Sequence, residues 1–93
     1  MIPRHIRCLP NLMNVSEAEI ADRSIEGRTA LVEKMEATLR NMRLLGLDRH
    51  HSYELATHSA LFSIYKRERD ELAIEQMDAA FNRAAIRLDE VFA

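Results

Sequence analysis

His50, His51, Glu54 and His58 lie within nine residues of one another. Spacings of three, four and seven put His51, Glu54 and His58 on one helical face, provided that a helix begins early enough to include them. Imidazole nitrogens and a carboxylate at such spacing can bind zinc or iron, and a two-fold dimer would double the ligand set. The paired Glu-x-x-His motifs of di-iron bundles are absent, however. Histidines are also common at helix starts and turns, so a metal- or haem-binding bundle is the lesser reading, and no cofactor is expected. His58 is expected to pack beside Leu39 with its ring edge in water.

Other candidate groups are weaker. His5 and Cys8 stand three apart, but their Pro-containing segment gives no reason to prefer a metal site. Lys66, Arg67 and Arg69 look basic until Glu68, Asp70 and Glu71 are counted. The stretch alternates in sign and reads as a solvated helix face. Tyr53 and Tyr65 have no neighbour in sequence to tune them for acid–base work. Neither a nucleophile elbow nor a glycine-rich phosphate loop is present. No enzymatic activity is expected.

The elements that must position these groups are helical. The 93 residues include only two Gly and two Pro, no Trp, 47% apolar and 30% charged residues. This balance favours helix over strand and allows one domain. Residues 1–15 read as an irregular segment, frayed or partly docked, because Pro3 and Pro10 disrupt helix while Ile6, Leu9, Leu12 and Met13 are apolar enough to bury. A first helix is expected over residues 16–45. Ser16 and Glu19 form a capping box, flanked by Val15 and Ile20 as a hydrophobic staple. Its seam is Ala18, Ala21, Ile25, Arg28, Val32, Met35, Leu39 and Met42, with Glu19–Arg23 and Glu36–Arg40 as supporting pairs outside. Gly27 weakens the middle by about 1 kcal/mol relative to Ala. Gly46 ends the helix in a Schellman stop, within a turn over 46–51.

A second helix is expected over about 52–92, capped by Asp48 or Ser52 and roughly 60 Å long. It carries two seams on nearly opposite sides. Leu55, His58, Phe62, Tyr65, Arg69, Leu72, Gln76 and Ala79 form the first. Folding at Gly46 sets these against the first helix, with Met35 by Phe62 and Val32 by Tyr65. One mismatch results: Arg28 meets Arg69, which requires both to reach outward to acids such as Glu68 or Asp70.

The second seam, Ile74, Met77, Phe81, Ala84, Leu88 and Val91 with Phe92 nearby, is left unpaired. A two-helix hairpin buries too little surface by itself. The expected architecture is therefore all-α: an antiparallel two-helix hairpin with an irregular N-terminal segment, dimerising into a four-helix bundle. The expected function is a protein-interaction module, a homodimeric regulator, chaperone or assembly adaptor that engages another protein through the surplus seam. A net charge of −2 weighs against nucleic acid as a partner, leaving an accessory role through Arg4, Arg7 and the 66–69 bases as the weakest alternative. Neither a signal peptide nor a membrane span is apparent, and one lone cysteine suits a reducing compartment, so the expected location is the cytoplasm.

Overall fold

A computed structural model describes residues 2–44 and 52–92, with the side-chain surroundings of 2–44 and 55–88. Every element among the described residues is helical: a 3-10 turn at Arg4–Ile6, α1 (Leu9–Leu12), α2 (Glu17–Ala21), α3 (Ile25–Leu44) and α4 (Ser52–Phe92). The Gly46 stop, the Asp48 cap and the side chains of His50, His51, Tyr53, Glu54, Val91 and Phe92 lie outside what is described. No described helix is long and apolar enough to cross a membrane.

The N-terminal segment is docked. Ile6 and Leu9 are fully buried, and Met13 and Val15 nearly so. Pro10 is accommodated because it falls in the first turn of α1, where its missing N–H has no helical acceptor to lose. These residues join Ile20, Leu31, Val32, Met35, Leu39, Leu61 and Leu72 in one apolar core. The segment is thus a third layer over the two long helices.

The single first helix expected over 16–45 is broken between Ala21 and Ile25. Asp22 takes an extended conformation (φ −75°, ψ 101°). Its Oδ1 accepts hydrogen bonds from the Ser24 amide at 3.1 Å and the Ser24 hydroxyl at 2.7 Å. The Ser24 Oγ in turn accepts from the Gly27 amide at 3.0 Å and caps α3. Short polar side chains here offer the backbone an alternative to continued helix. These bonds also hold the Asp22 carboxyl below its ordinary range, the Ser24 side-chain bond being the largest cause. The capping box is half formed: the Glu19 amide donates to Ser16 Oγ at 3.1 Å, while the Glu19 carboxylate binds Lys34 on α3 at 3.0 Å.

Gly27 has a different role from the one its helix propensity suggests. A Cβ at this position would overlap the Asp22 carboxylate. Glycine is what lets the corner fold tightly over the start of α3.

The helices α3 and α4 pack in opposite directions. Arg28 early in α3 meets Glu75 just past the middle of α4, and Glu36 further along α3 accepts from the hydroxyl of Tyr65, earlier in α4, at 2.9 Å. The expected seam of the first helix holds from Ile25 onward, with Arg28, Val32, Met35 and Leu39 buried, but Ala18 and Ala21 are exposed. On α4 the buried line is Leu61, Glu68 and Leu72. Phe62 is 42% exposed, and Arg69 and Gln76 also face solvent, so the seam expected through them is rotated. The rotation places Leu61 rather than Phe62 in the core.

A double-mutant cycle tests the corner. Gly27→Ala alone is expected to lower stability, because displacing the Asp22 carboxylate outweighs the gain of about 1 kcal/mol in helix propensity. In an Asp22→Ala background the same change is expected to stabilise, as read by urea denaturation. Acid should act at the same place. The depressed folded pKa means that Asp22 contributes stability above the ordinary carboxylate range and loses it as pH falls through the folded value. Asp22→Asn should flatten that part of the profile.

Candidate functional site

The most unusual chemistry in the molecule is a fully buried carboxylate, Glu68, in the middle of α4. An unpaired charge at such a depth would be expelled or neutralised. Three other parts of the chain supply its partners. His5 in the 3-10 turn places Nε2 2.7 Å from Glu68 Oε1, within hydrogen-bond distance. Arg23 at the α2–α3 corner donates through Nη2 to both carboxylate oxygens at 3.0 Å each. Arg28 on α3 brings Nε to 3.6 Å from Oε2, an ion pair too long to be a hydrogen bond.

Arg28 is itself buried, at 5% exposure, and continues the network outward. Its Nη1 lies 2.6 Å from Glu75 and its Nη2 3.8 Å from Glu71, both half-exposed carboxylates one and two turns beyond Glu68. The expected clash of Arg28 with Arg69 does not arise. Arg28 turns to Glu68 and its outer neighbours, while Arg69 binds Asp70 at 3.2 Å and lies over the Tyr65 ring at 5.4 Å. A hydrogen bond with Tyr65 is the largest cause raising the Arg69 pKa.

The sequence signal for this cluster was present but ambiguous. Arg28 fell on an apolar seam, which marks a buried charge in need of a partner. Glu68 lay inside Lys66–Glu71, where alternating charge reads as a wet surface. Its neighbours confirm that reading, since Lys66, Arg67, Arg69 and Asp70 are exposed and Arg67 binds Glu71 at 3.1 Å. Glu68 alone faces inward. His5 and Arg23 could be assigned only once the segments carrying them were seen to converge. Helical spacing pairs Arg23 with Glu19, and Glu36 with Arg40. Both instead reach across to α4.

Ligand atoms of His5, Glu68 and Glu71 lie within 4.8 Å of one another. That is metal-like spacing, but both Glu68 oxygens already face guanidinium nitrogens. A divalent cation there would meet Arg23 and Arg28 at close range, so the cluster is a self-contained ion network. Cys8 is exposed and takes no part in it.

Of the 50–58 candidates, only His58 has described side-chain surroundings. It is half-buried and stacked on Phe62, with ring centroids 6.5 Å apart. Its Nε2 is buried without a hydrogen-bond partner among the described residues. Two surface grooves flank α3. The first, of about 440 Å³, is lined by Glu19, Asp22, Gly27, Leu31 and Lys34. The second, of about 350 Å³, is lined by Arg40, Arg43, Phe62 and Tyr65 among others.

The candidate interface residues are placed on the open surface. Exposure is 61% at Ile74, 71% at Met77, 73% at Phe81 and 57% at Leu88, and Ala84 is exposed beside them. Beyond Leu72 no described residue of α4 is buried.

The network predicts an unequal response to mutation. Glu68→Gln is expected to cost about 3 kcal/mol, since it takes the counter-charge from Arg23 and leaves Arg28 with its outer partners Glu71 and Glu75 alone. His5→Ala, which removes one hydrogen bond to a charged group, should cost about 1.5 kcal/mol. Urea denaturation of both variants checks the order. Comparison with protein-family models, with curated proteins and with solved structures finds no match to this chain, so its function must be argued from these residues.

Proposed function

We propose that this protein is a small interaction module, a homodimeric regulator, chaperone or assembly adaptor, whose docking element is the C-terminal half of α4. The observation that carries this reading is the exposed row Ile74, Met77, Phe81 and Leu88, a face of α4 over which no described residue packs closely enough to bury it. Large apolar side chains at 3-4 spacing on a solvated helix lose the hydrophobic stabilisation they bring when paired. Their row recurs with the period of a helix-pairing seam.

The remainder of the molecule fits a support for that element. The α4 helix has 41 residues, which at 1.5 Å per residue is about 60 Å, and the molecule is 63 Å long. Its first half is gripped by α3, the N-terminal segment and the ion network, whereas its second half projects. A second copy is the simplest cover, because an isologous patch pairs with itself and brings two antiparallel helix pairs, four long helices in all, together through their α4 helices. Methionine within the row gives the surface some adaptability toward another protein.

Sedimentation equilibrium and light scattering test the reading. A dimer is expected at micromolar concentration, with Phe81→Glu weakening it at least ~100-fold while circular dichroism of the folded body persists. A wild-type chain that stays monomeric, folded and monodisperse across that range would remove the proposal.

A further inference from the structure

The projecting half of α4 also carries information about how a second copy would lie on it. At 100° per residue the row Ile74, Met77, Phe81, Ala84 and Leu88 occupies the side of α4 opposite Leu61, Glu68 and Leu72. The face therefore points away from the body, and a second copy can approach without meeting α3.

We infer that two copies pair antiparallel through residues 74–88 of α4, in the register that sets Phe81 of each against Ala84 of the other. This rests on the reading of α4 as a self-docking element. In that register the residue numbers of facing positions sum to a constant. Met77 then meets Leu88, and each layer joins one larger and one smaller or two medium side chains. A parallel, in-register pair would instead stack Phe81 on Phe81 and leave Ala84 facing Ala84. That produces a bulge beside a void, which close-packed interfaces do not tolerate well.

Charge supports the same choice. Seven residues before Ile74 and Met77 the row reaches Arg67 and Asp70, both exposed at about half or more. A parallel pair extended along α4 sets Arg67 against Arg67 and Asp70 against Asp70, like charges in facing core positions. In the antiparallel register neither Arg67 nor Asp70 faces its own copy. Ala73, Ala80 and Ala85 flank the row and let two helices come close. Ile86 is exposed on another side of the helix and stays outside the contact.

The area is adequate for a specific dimer. At ~200 Å² for each fully exposed large side chain, the four large residues at their observed exposures offer roughly 500 Å² per copy. A two-fold contact would bury at most about 1,000 Å² from them, near the lower bound for a specific interface, with the alanines and helix backbone adding to it. A row of this size on an isolated chain already reaches the upper range of patches that monomers expose.

Spin-label distances separate the arrangements. In a Cys8→Ser background, a nitroxide on Lys66→Cys, an exposed position on the gripped half of α4, reports between copies. The antiparallel register places the two labels ~50 Å apart along the helix axis, whereas a parallel pair brings them to within ~20 Å. A dominant distance near 50 Å is the expected result. A dimer with only the short distance overturns the register and leaves dimerisation standing. A labelled chain with no distance between copies, monomeric by sedimentation like the unlabelled protein, removes the dimer reading and the register together.

Discussion

The structure turns on where the negative charge of Glu68 can be satisfied. A carboxylate with no solvent contact, halfway along a 41-residue helix, requires donors brought from elsewhere. Arg28 lies across the α3–α4 interface, Arg23 at the corner that ends α2, and His5 in the first turn of the chain. All three segments must therefore arrive together. Relative to an apolar core of the same volume, such a network adds little net stability, because each charge is desolvated on entry. Its larger effect is to penalise arrangements that separate the partners. An N-terminal segment shifted by one turn would strand His5, and a slip of α3 along α4 would strand Arg28.

The same requirement explains the broken first helix. Continuing α2 straight into α3 would leave no corner from which Arg23 reaches Glu68. Asp22 and Ser24 stop the helix with their own side-chain bonds, and Gly27 leaves room for the Asp22 carboxylate. Local chemistry and the distant ion network agree on the same bend. Agreement between levels of this kind marks a sequence that specifies one arrangement.

Grip on the first half of α4 and freedom in the second half are two sides of one design. The body holds α4 through Leu61, Glu68 and Leu72, with Arg28 reaching as far as Glu75. Past that point the helix keeps its backbone bonds, but among the described residues none of its side chains is buried. Most helices in proteins draw their stability from a packed face rather than from propensity alone. The firmly held half supplies a nucleus from which the projecting half extends, and association through Ile74, Met77, Phe81 and Leu88 would complete its packing.

The helical class, the Ser16 cap, the α3 seam from Ile25 onward, the second long helix and an apolar row beyond Leu72 are all legible in residue order. Each follows from periodicity or from a cap spanning a few residues, and those signals are local. Packing between distant segments is what turns Glu68 inward and Phe62 and Arg69 outward, and what makes residues 2–15 a packed layer. Those outcomes depend on which charges and apolar groups from distant segments meet, so a rotation of α4 by one residue is invisible to periodicity alone. The candidate histidines show the limit of spacing: His50, His51 and Glu54 stood out by sequence proximity, whereas the histidine that takes part in a buried charge network is His5, 63 positions from its partner. Long-range charge pairing leaves no mark in sequence spacing, because the fold alone brings its two halves together.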